Sequence, residues 1–254
     1  MSKSIVALSG GVASAWVADY VIKNITSDAV MYFNDTKWED KDLYRFLNEI
    51  AAHIGKEVFY DTDGRDPEQV FYDQNFLANN RVPLCSRILK AERLQKYAEP
   101  GDVLYFGIDA TEAHRAVRIE AIYKKLGMEC RFPLIEEQVF KPTIYQWVES
   151  IGIEIPRLYR LGFEHNNCAG GCVRSGKRQW LHLLRTLPDV YAERERVEEE
   201  FSFLSGKQQH FMKDISLKQL REEYEAQAEK ERWFDMFDDG DTVTECIGIC
   251  GTMN

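Results

Sequence analysis

Short apolar runs alternate with amphipathic stretches through the first 150 residues of the chain. The runs at 4–8, 29–34, 57–61 and 103–107, with a weaker one at 129–134, have strand length and are rich in aliphatic and aromatic residues. Between the second and third, Leu43, Phe46, Leu47, Ile50, Ala51 and Ile54 recur at helical spacing, and Gly55 closes that helix. Asp66-Pro67-Glu68 opens another helix, with Asp as N-cap and Pro in the first turn. Further helices are predicted from Ala13 onward and at 87–98, 112–126 and 143–151. Strands separated by helices predict an α/β fold, a parallel sheet with helices on both faces.

After Gly152 the rhythm changes. Residues 160–176 read as a loop rich in Gly, Asn and Cys, followed by helices at about 177–204 and 216–234, the last opened by the capping box Ser216-Leu217-Lys218-Gln219. The tail from Asp238 to Asn254 carries no periodic pattern. The expected organisation is a nucleotide-binding α/β domain over 1–155 and a mainly helical part over 156–254, which holds the cysteine loop and a cysteine-containing tail.

The first strand leads directly into Ser9-Gly10-Gly11-Val12-Ala13-Ser14. Two adjacent glycines allow a turn with φ > 0 and a close approach of the backbone to a ligand. Such a turn aims N–H groups and a helix N-terminus at one point, which is how proteins hold phosphate. The hydroxyls of Ser9 and Ser14 are candidate further donors. No lysine follows the glycines, which excludes the Walker-type loop. A side chain added at Gly10 is expected to occupy the phosphate's place. In parallel sheets ligands sit at the carboxyl ends of the strands, which also brings Asn34, Asp35 and Thr36 into the picture. Asp35 reads equally well as an Asx-turn.

The 254 residues carry a net charge of −10, which argues against a protein that coats nucleic acid by bulk electrostatics. A local basic patch remains open, with Arg174, Lys177 and Arg178 as candidates. No apolar run reaches membrane-span length and no secretory signal pattern is seen, so the expected location is cytoplasmic. Thiols stay reduced there, and six cysteines suggest metal, cluster or catalytic chemistry more than disulfides. Cys130, in an apolar run, reads as a core residue.

The S-G-G-x-x-S pattern resembles the PP-loop of the ATP pyrophosphatase superfamily. Several later stretches resemble the phosphoadenylyl-sulfate (PAPS) reductase-like branch of that superfamily. Cys85-Ser86-Arg87-Ile88-Leu89-Lys90 is similar to its C-C-x-x-R-K stretch, with Ser in the second position. Gly107-Ile-Asp-Ala-Thr-Glu112-Ala-His-Arg115 is similar to its G-x-R-x-x-E-S-x-x-R segment, with Asp109 in place of the arginine. Phe132-Pro133-Leu134, Trp147 and Ile155-Pro156-x-x-Tyr159-x-x-Gly162 follow in the family's order. The likeness spans residues 4–180. Glu245-Cys246 resembles the start of the reductases' Glu-Cys-Gly-[IL]-His tail, with Ile247 and Cys250 departing from it.

The resemblance implies an adenine nucleotide alpha hydrolase-like fold and an enzyme that binds ATP with Mg²⁺ and cleaves it between the α and β phosphates. The acceptor so adenylated would be a nucleic acid or a small molecule, for sulfur transfer. Thiol- or cluster-dependent reduction of a sulfonucleotide is the alternative, and a non-catalytic nucleotide-binding subunit is a third reading. The implied nucleotide contacts are Ser9, Gly10, Gly11, Ser14, Asn34, Asp35, Thr36, Gly107 and Glu112. Lys90, Arg115 and Cys246 are the implied catalytic residues. Cys85, Cys168, Cys172 and Cys250 are implied ligands of a [4Fe–4S] cluster, or of Zn²⁺ instead. Free thiols are the plain alternative. A protein partner and a homodimer are both left open, and no membrane is expected.

Overall fold

The computed structural model describes residues 2–237, with side chains described through residue 230. Five strands form one fully parallel sheet: β1 (Ser4–Leu8), β2 (Val30–Asn34), β3 (Val58–Asp61), β4 (Val103–Phe106) and β5 (Glu129–Arg131). Their spatial order is β3-β2-β1-β4-β5. The chain runs outward from β1 to β3 and then crosses back to place β4 on the other side of β1. The reversal between β1 and β4 is a topological switch point, where open α/β sheets leave a crevice for ligands.

Both faces of the sheet are covered. On one, Val6 and Leu8 pack with α1 (Val12–Asn24), α2 (Lys41–Ile54) and the later helix at Lys141–Ser150. The opposite face is thinner: Ile5, Tyr32 and Leu104 meet Leu94, Tyr123 and Met128. In α2 the predicted stripe is realised, with Leu43, Phe46, Leu47 and Ile50 fully buried. Each such side chain contributes about 1.5–3 kcal/mol relative to exposure. Asp40 caps its start through the Asp42 N–H, and Gly55 ends it at φ 72°, as predicted. α3 (Pro67–Asp73) carries the predicted cap at Asp66, completed by Gln69.

Three boundaries differ from the sequence reading. The helix expected at 87–98 begins earlier: Leu84–Ser86, a wider π-type turn Arg87–Ala91 and Glu92–Tyr97 run on as one helix, α4. The fifth strand stops at Arg131 because Pro133 cannot donate to a ladder and starts a short turn, Pro133–Glu136. The Phe132 N–H goes instead to Glu136 Oε1 at 2.9 Å. The stretch 177–204 is broken at Pro188.

After α5 (Ala113–Lys125) and α6 (Lys141–Ser150) come the helices of the C-terminal part: α7 (Lys177–Thr186), α8 (Pro188–Ser205) and α9 (Leu217–Phe237). The capping box at Ser216 is formed with Gln219. Trp180, Leu183, Tyr191, Phe201 and Leu217 build a core that also takes in Trp38, Phe71, Leu84 and Leu89. The helical part therefore packs onto the α3–α4 side of the sheet domain, which carries the cysteine loop to the sheet's carboxyl edge.

Candidate functional site

The turn after β1 is locked by its own hydroxyls. Ser14, 2% exposed, accepts from the Ser9 N–H at 3.0 Å and donates to the Gly11 carbonyl at 3.0 Å. The Ser9 and Ser14 oxygens lie 3.1 Å apart. These serines therefore brace the loop, in which Gly10, Gly11 and Val12 are buried and Ser9 is exposed. Gly10 has φ 76°, and a Cβ there would lie 2.4 Å from Leu43 Cδ1. The expectation that a side chain at Gly10 would fill the phosphate position is thus corrected: it would be driven into the α2 core. A Cβ on Gly11 would lie 2.7 Å from the Tyr159 hydroxyl. Burial pushes that phenol up to about 12, against backbone N–H donors from Val12 and Asn166. Asn166 also donates to the Gly10 carbonyl at 2.7 Å.

Gly107 follows β4 across the switch point. A Cβ there would stand 2.7 Å from Ser14 N and 2.8 Å from Ser14 Cα. The glycine lets the first turn of α1 sit against the end of β4. Two residues on, Asp109 caps the turn at Ala110–Glu112 through the Thr111 N–H. Glu112 and Arg115, expected to contact nucleotide and to act in catalysis, pair with each other at the start of α5.

At the end of β2 the three candidates diverge. Asn34 turns sideways to Tyr32 and Asp61, and Asp61 is clamped by Arg93. Asp35 forms the Asx-turn with the Lys37 N–H at 2.8 Å and accepts from Tyr44 at 2.8 Å, both through Oδ1. Its Oδ2 has no protein partner among the described residues, so it suits a magnesium ion that arrives with a nucleotide. Thr36 is buried and donates to Glu39 at 3.0 Å.

Glu39, which the sequence did not single out, joins the two halves of the site. Its side chain is 0% exposed. Oε1 accepts from Thr36 and from Lys90 Nζ at 2.9 Å, and Oε2 accepts from the Cys168 N–H at 2.7 Å. Lys90 lies in the π-type turn of α4. Burial works against its ammonium, but Glu39 and the sulfurs of Cys168 and Cys172 outweigh it and raise the pKa.

The cysteine loop is strained. Cys168 and Ala169 both have φ 50°, a left-handed conformation that costs non-glycine residues of order 1–3 kcal/mol each. Gly170 continues at φ 84°. Cys168 donates its thiol proton to Cys172, which lowers the Cys172 pKa and raises that of Cys168. Burial pushes the Cys85 thiol up to about 12, and the Cys172 charge adds to this. The three predicted cysteines thus share one neighbourhood, with Lys90 beside them. All are free thiols, as is Cys130.

Arg194 of α8 covers this loop. It is 5% exposed, stacks on Trp38 at 3.6 Å, and its Nε has no partner among the described residues. Asn166 Oδ1, Ser175 Oγ and Trp180 Nε1 are likewise buried without partners. Buried polar atoms are normally satisfied, so this concentration around one loop is unusual. Even so, no group of three or more His, Cys, Asp or Glu among the described residues is arranged to hold a metal. Among the described residues the donor set for a cluster or zinc ion does not close. Cys246 and Cys250 lie outside the described residues.

Of the three basic candidates, Lys177 pairs with Glu223 and Arg178 with Glu164, while Arg174 is exposed. No described helix is long and apolar enough to cross a membrane. A family model described as the phosphoadenosine phosphosulfate reductase domain matches residues 3–173. No curated protein matches the chain.

Proposed function

The chain belongs to the phosphoadenosine phosphosulfate reductase domain family, and we propose that it uses the Ser9–Ser14 loop to bind ATP and cleave it between the α and β phosphates. The acceptor oxygen attacks the α phosphorus, pyrophosphate leaves, and the adenylated acceptor is then open to displacement by sulfur. The observation that carries this reading is the close packing of the Ser9–Ser14 turn at the switch point. Gly10, Gly11 and Gly107 each lack a side chain where a neighbouring group already stands, which sets the N-terminus of α1 directly against the end of β4. N–H groups fixed there stabilise charge as it builds on the phosphates. Asp35 would hold magnesium brought by the nucleotide, whose charge would offset that of the leaving pyrophosphate. Lys90, held by Glu39, supplies a fixed positive charge between the nucleotide edge and the thiols.

One observation favours a second reading, thiol-dependent reduction of a sulfonucleotide. Cys172 carries the lowered pKa of the Cys168–Cys172 pair. Its thiolate would attack the sulfonyl sulfur, the nucleoside phosphate would leave, and the neighbouring thiol would displace sulfite as a disulfide forms. The two readings separate in one assay. The adenylation reading expects pyrophosphate from ATP when acceptor is present, and no sulfite from adenylyl sulfate. Sulfite release with stoichiometric loss of two thiols, and no pyrophosphate, would replace it by the second.

A further inference from the structure

Away from the switch point, two loops face each other across a cleft of about 540 Å³. One is the stretch from Asn75 to Arg81 between α3 and α4; the other runs from Lys207 to Lys213 between α8 and α9. They are tied together across the chain. The Asn80 N–H donates to the Phe211 carbonyl at 3.1 Å, and the Leu77 N–H donates to Gln209 Oε1 at 3.0 Å. The Gln209 peptide is in turn held on both sides by Ser202. The cleft walls are therefore set by hydrogen bonds, not by loose side chains.

The lining has a one-sided chemistry. Arg81, Lys207 and Lys213 contribute three cations, five further side chains are Asn or Gln, and no carboxylate takes part. This is an unusual composition for a chain of net charge −10. The side chains of Arg81 and Lys207 have no partner among the described residues, and Lys213 has only Asp214 at 3.5 Å. Lys177 and Arg178, by contrast, are each neutralised by a carboxylate.

We infer that this cleft binds a single strand of nucleic acid. The three cations are spread over two facing loops, which suits successive phosphates better than one small anion. Asn79 and Gln209 already accept from backbone N–H groups, but the amides of Asn75, Asn80 and Gln208 offer donor and acceptor together, the pairing that base edges require, whereas an acidic peptide would use only the cations. The overall negative charge disfavours the second strand of a duplex lying over the same surface. The Arg81 wall runs through Pro83 into the first turn of α4, where Cys85 stands. The cleft wall is thus next in sequence to the helix that carries Cys85 and Lys90, and a strand bound there is the acceptor we propose. Its role as the acceptor rests on the adenylation reading above; its binding does not.

The test is fluorescence anisotropy of a labelled twelve-nucleotide single strand with the full chain. Three phosphate contacts predict a slope of log K against log salt of about −2, or roughly 20-fold weaker binding at 200 mM than at 50 mM salt. The triple variant R81A/K207A/K213A is expected to lose at least tenfold in affinity at 50 mM salt and to flatten that slope. The variant R174A/K177A/R178A is expected to bind like the parent. Unchanged binding by the first variant with its melting temperature intact would overturn the assignment. So would equal competition by a polyglutamate peptide, which would mark an acidic protein as the occupant. ATP affinity, measured by calorimetry on the same variant, is expected to stay the same. Loss of strand binding with ATP retained supports the cleft, and absence of ATP binding in the parent would sink the adenylation reading alone.

Discussion

Glu39→Ala removes the group that joins the nucleotide edge to the cysteine loop. The carboxylate is fully buried and accepts from Thr36, Lys90 and the Cys168 N–H. Deleting one partner of a buried, hydrogen-bonded ion pair costs about 3–5 kcal/mol, because the other charge is left without compensation. The Lys90 side chain is 31% exposed, so water recovers part of that cost and the lower end applies to the charge. Loss of the bond to Cys168 adds to it, because that bond anchors a backbone held at φ 50°. The expected loss is therefore about 3–5 kcal/mol, or roughly 6–20 °C in melting temperature for a chain of this size. Urea unfolding should show it as a lower midpoint at unchanged slope. Adding Lys90→Met should restore part of the loss, since the stranded ammonium is then gone. A loss below about 1 kcal/mol, or strict additivity of the two substitutions, would refute the reasoning.

Gly107→Ala puts a methyl group 2.7 Å from Ser14 N, so it should cost about 1–3 kcal/mol in thermal unfolding and weaken ATP at least tenfold in calorimetry. Ser14→Ala strips the brace from the Ser9 N–H and the Gly11 carbonyl, with an expected loss of about 1–3 kcal/mol in the same unfolding measurement. Burial pushes Glu198 up to about 7, against N–H donors from Leu217 and Phe211 and with Glu195 and Glu199 adding to the rise. The folded state therefore holds a proton that the unfolded state has released. Stability from this group is full below about pH 4.5 and is lost as pH rises through 7, by of order 3 kcal/mol. Melting curves from pH 4.5 to 8 should show a decline that Glu198→Gln flattens.

The sheet was legible because its strands are short apolar runs divided by one clean helical stripe, and the switch-point loop because two glycines follow the first of those runs. Long-range partnerships were not legible. Glu39 looks like an ordinary acidic residue ahead of a helix, and its partners lie 51 and 129 residues away. The left-handed turn at Cys168 and Ala169 carries no signal either, because neither residue is of a type that favours it. Gly10 was read correctly as a turn residue, but a side chain added there points to Leu43 and not to the expected phosphate position. The direction of its missing Cβ depends on where Leu43 packs, which no local pattern encodes. Cys85, Cys168 and Cys172 share one neighbourhood, and the fourth ligand the resemblance implied, Cys250, lies outside the described residues.

Crystallography of the chain with a non-hydrolysable ATP analogue and magnesium tests the central claim most directly. The account predicts triphosphate density against the backbone of residues 10–13, at the end of β1 and beside Gly107, with the metal on Asp35 Oδ2. A nucleotide bound with its phosphates away from that loop, while Ser9–Ser14 stays ordered and empty, would contradict it.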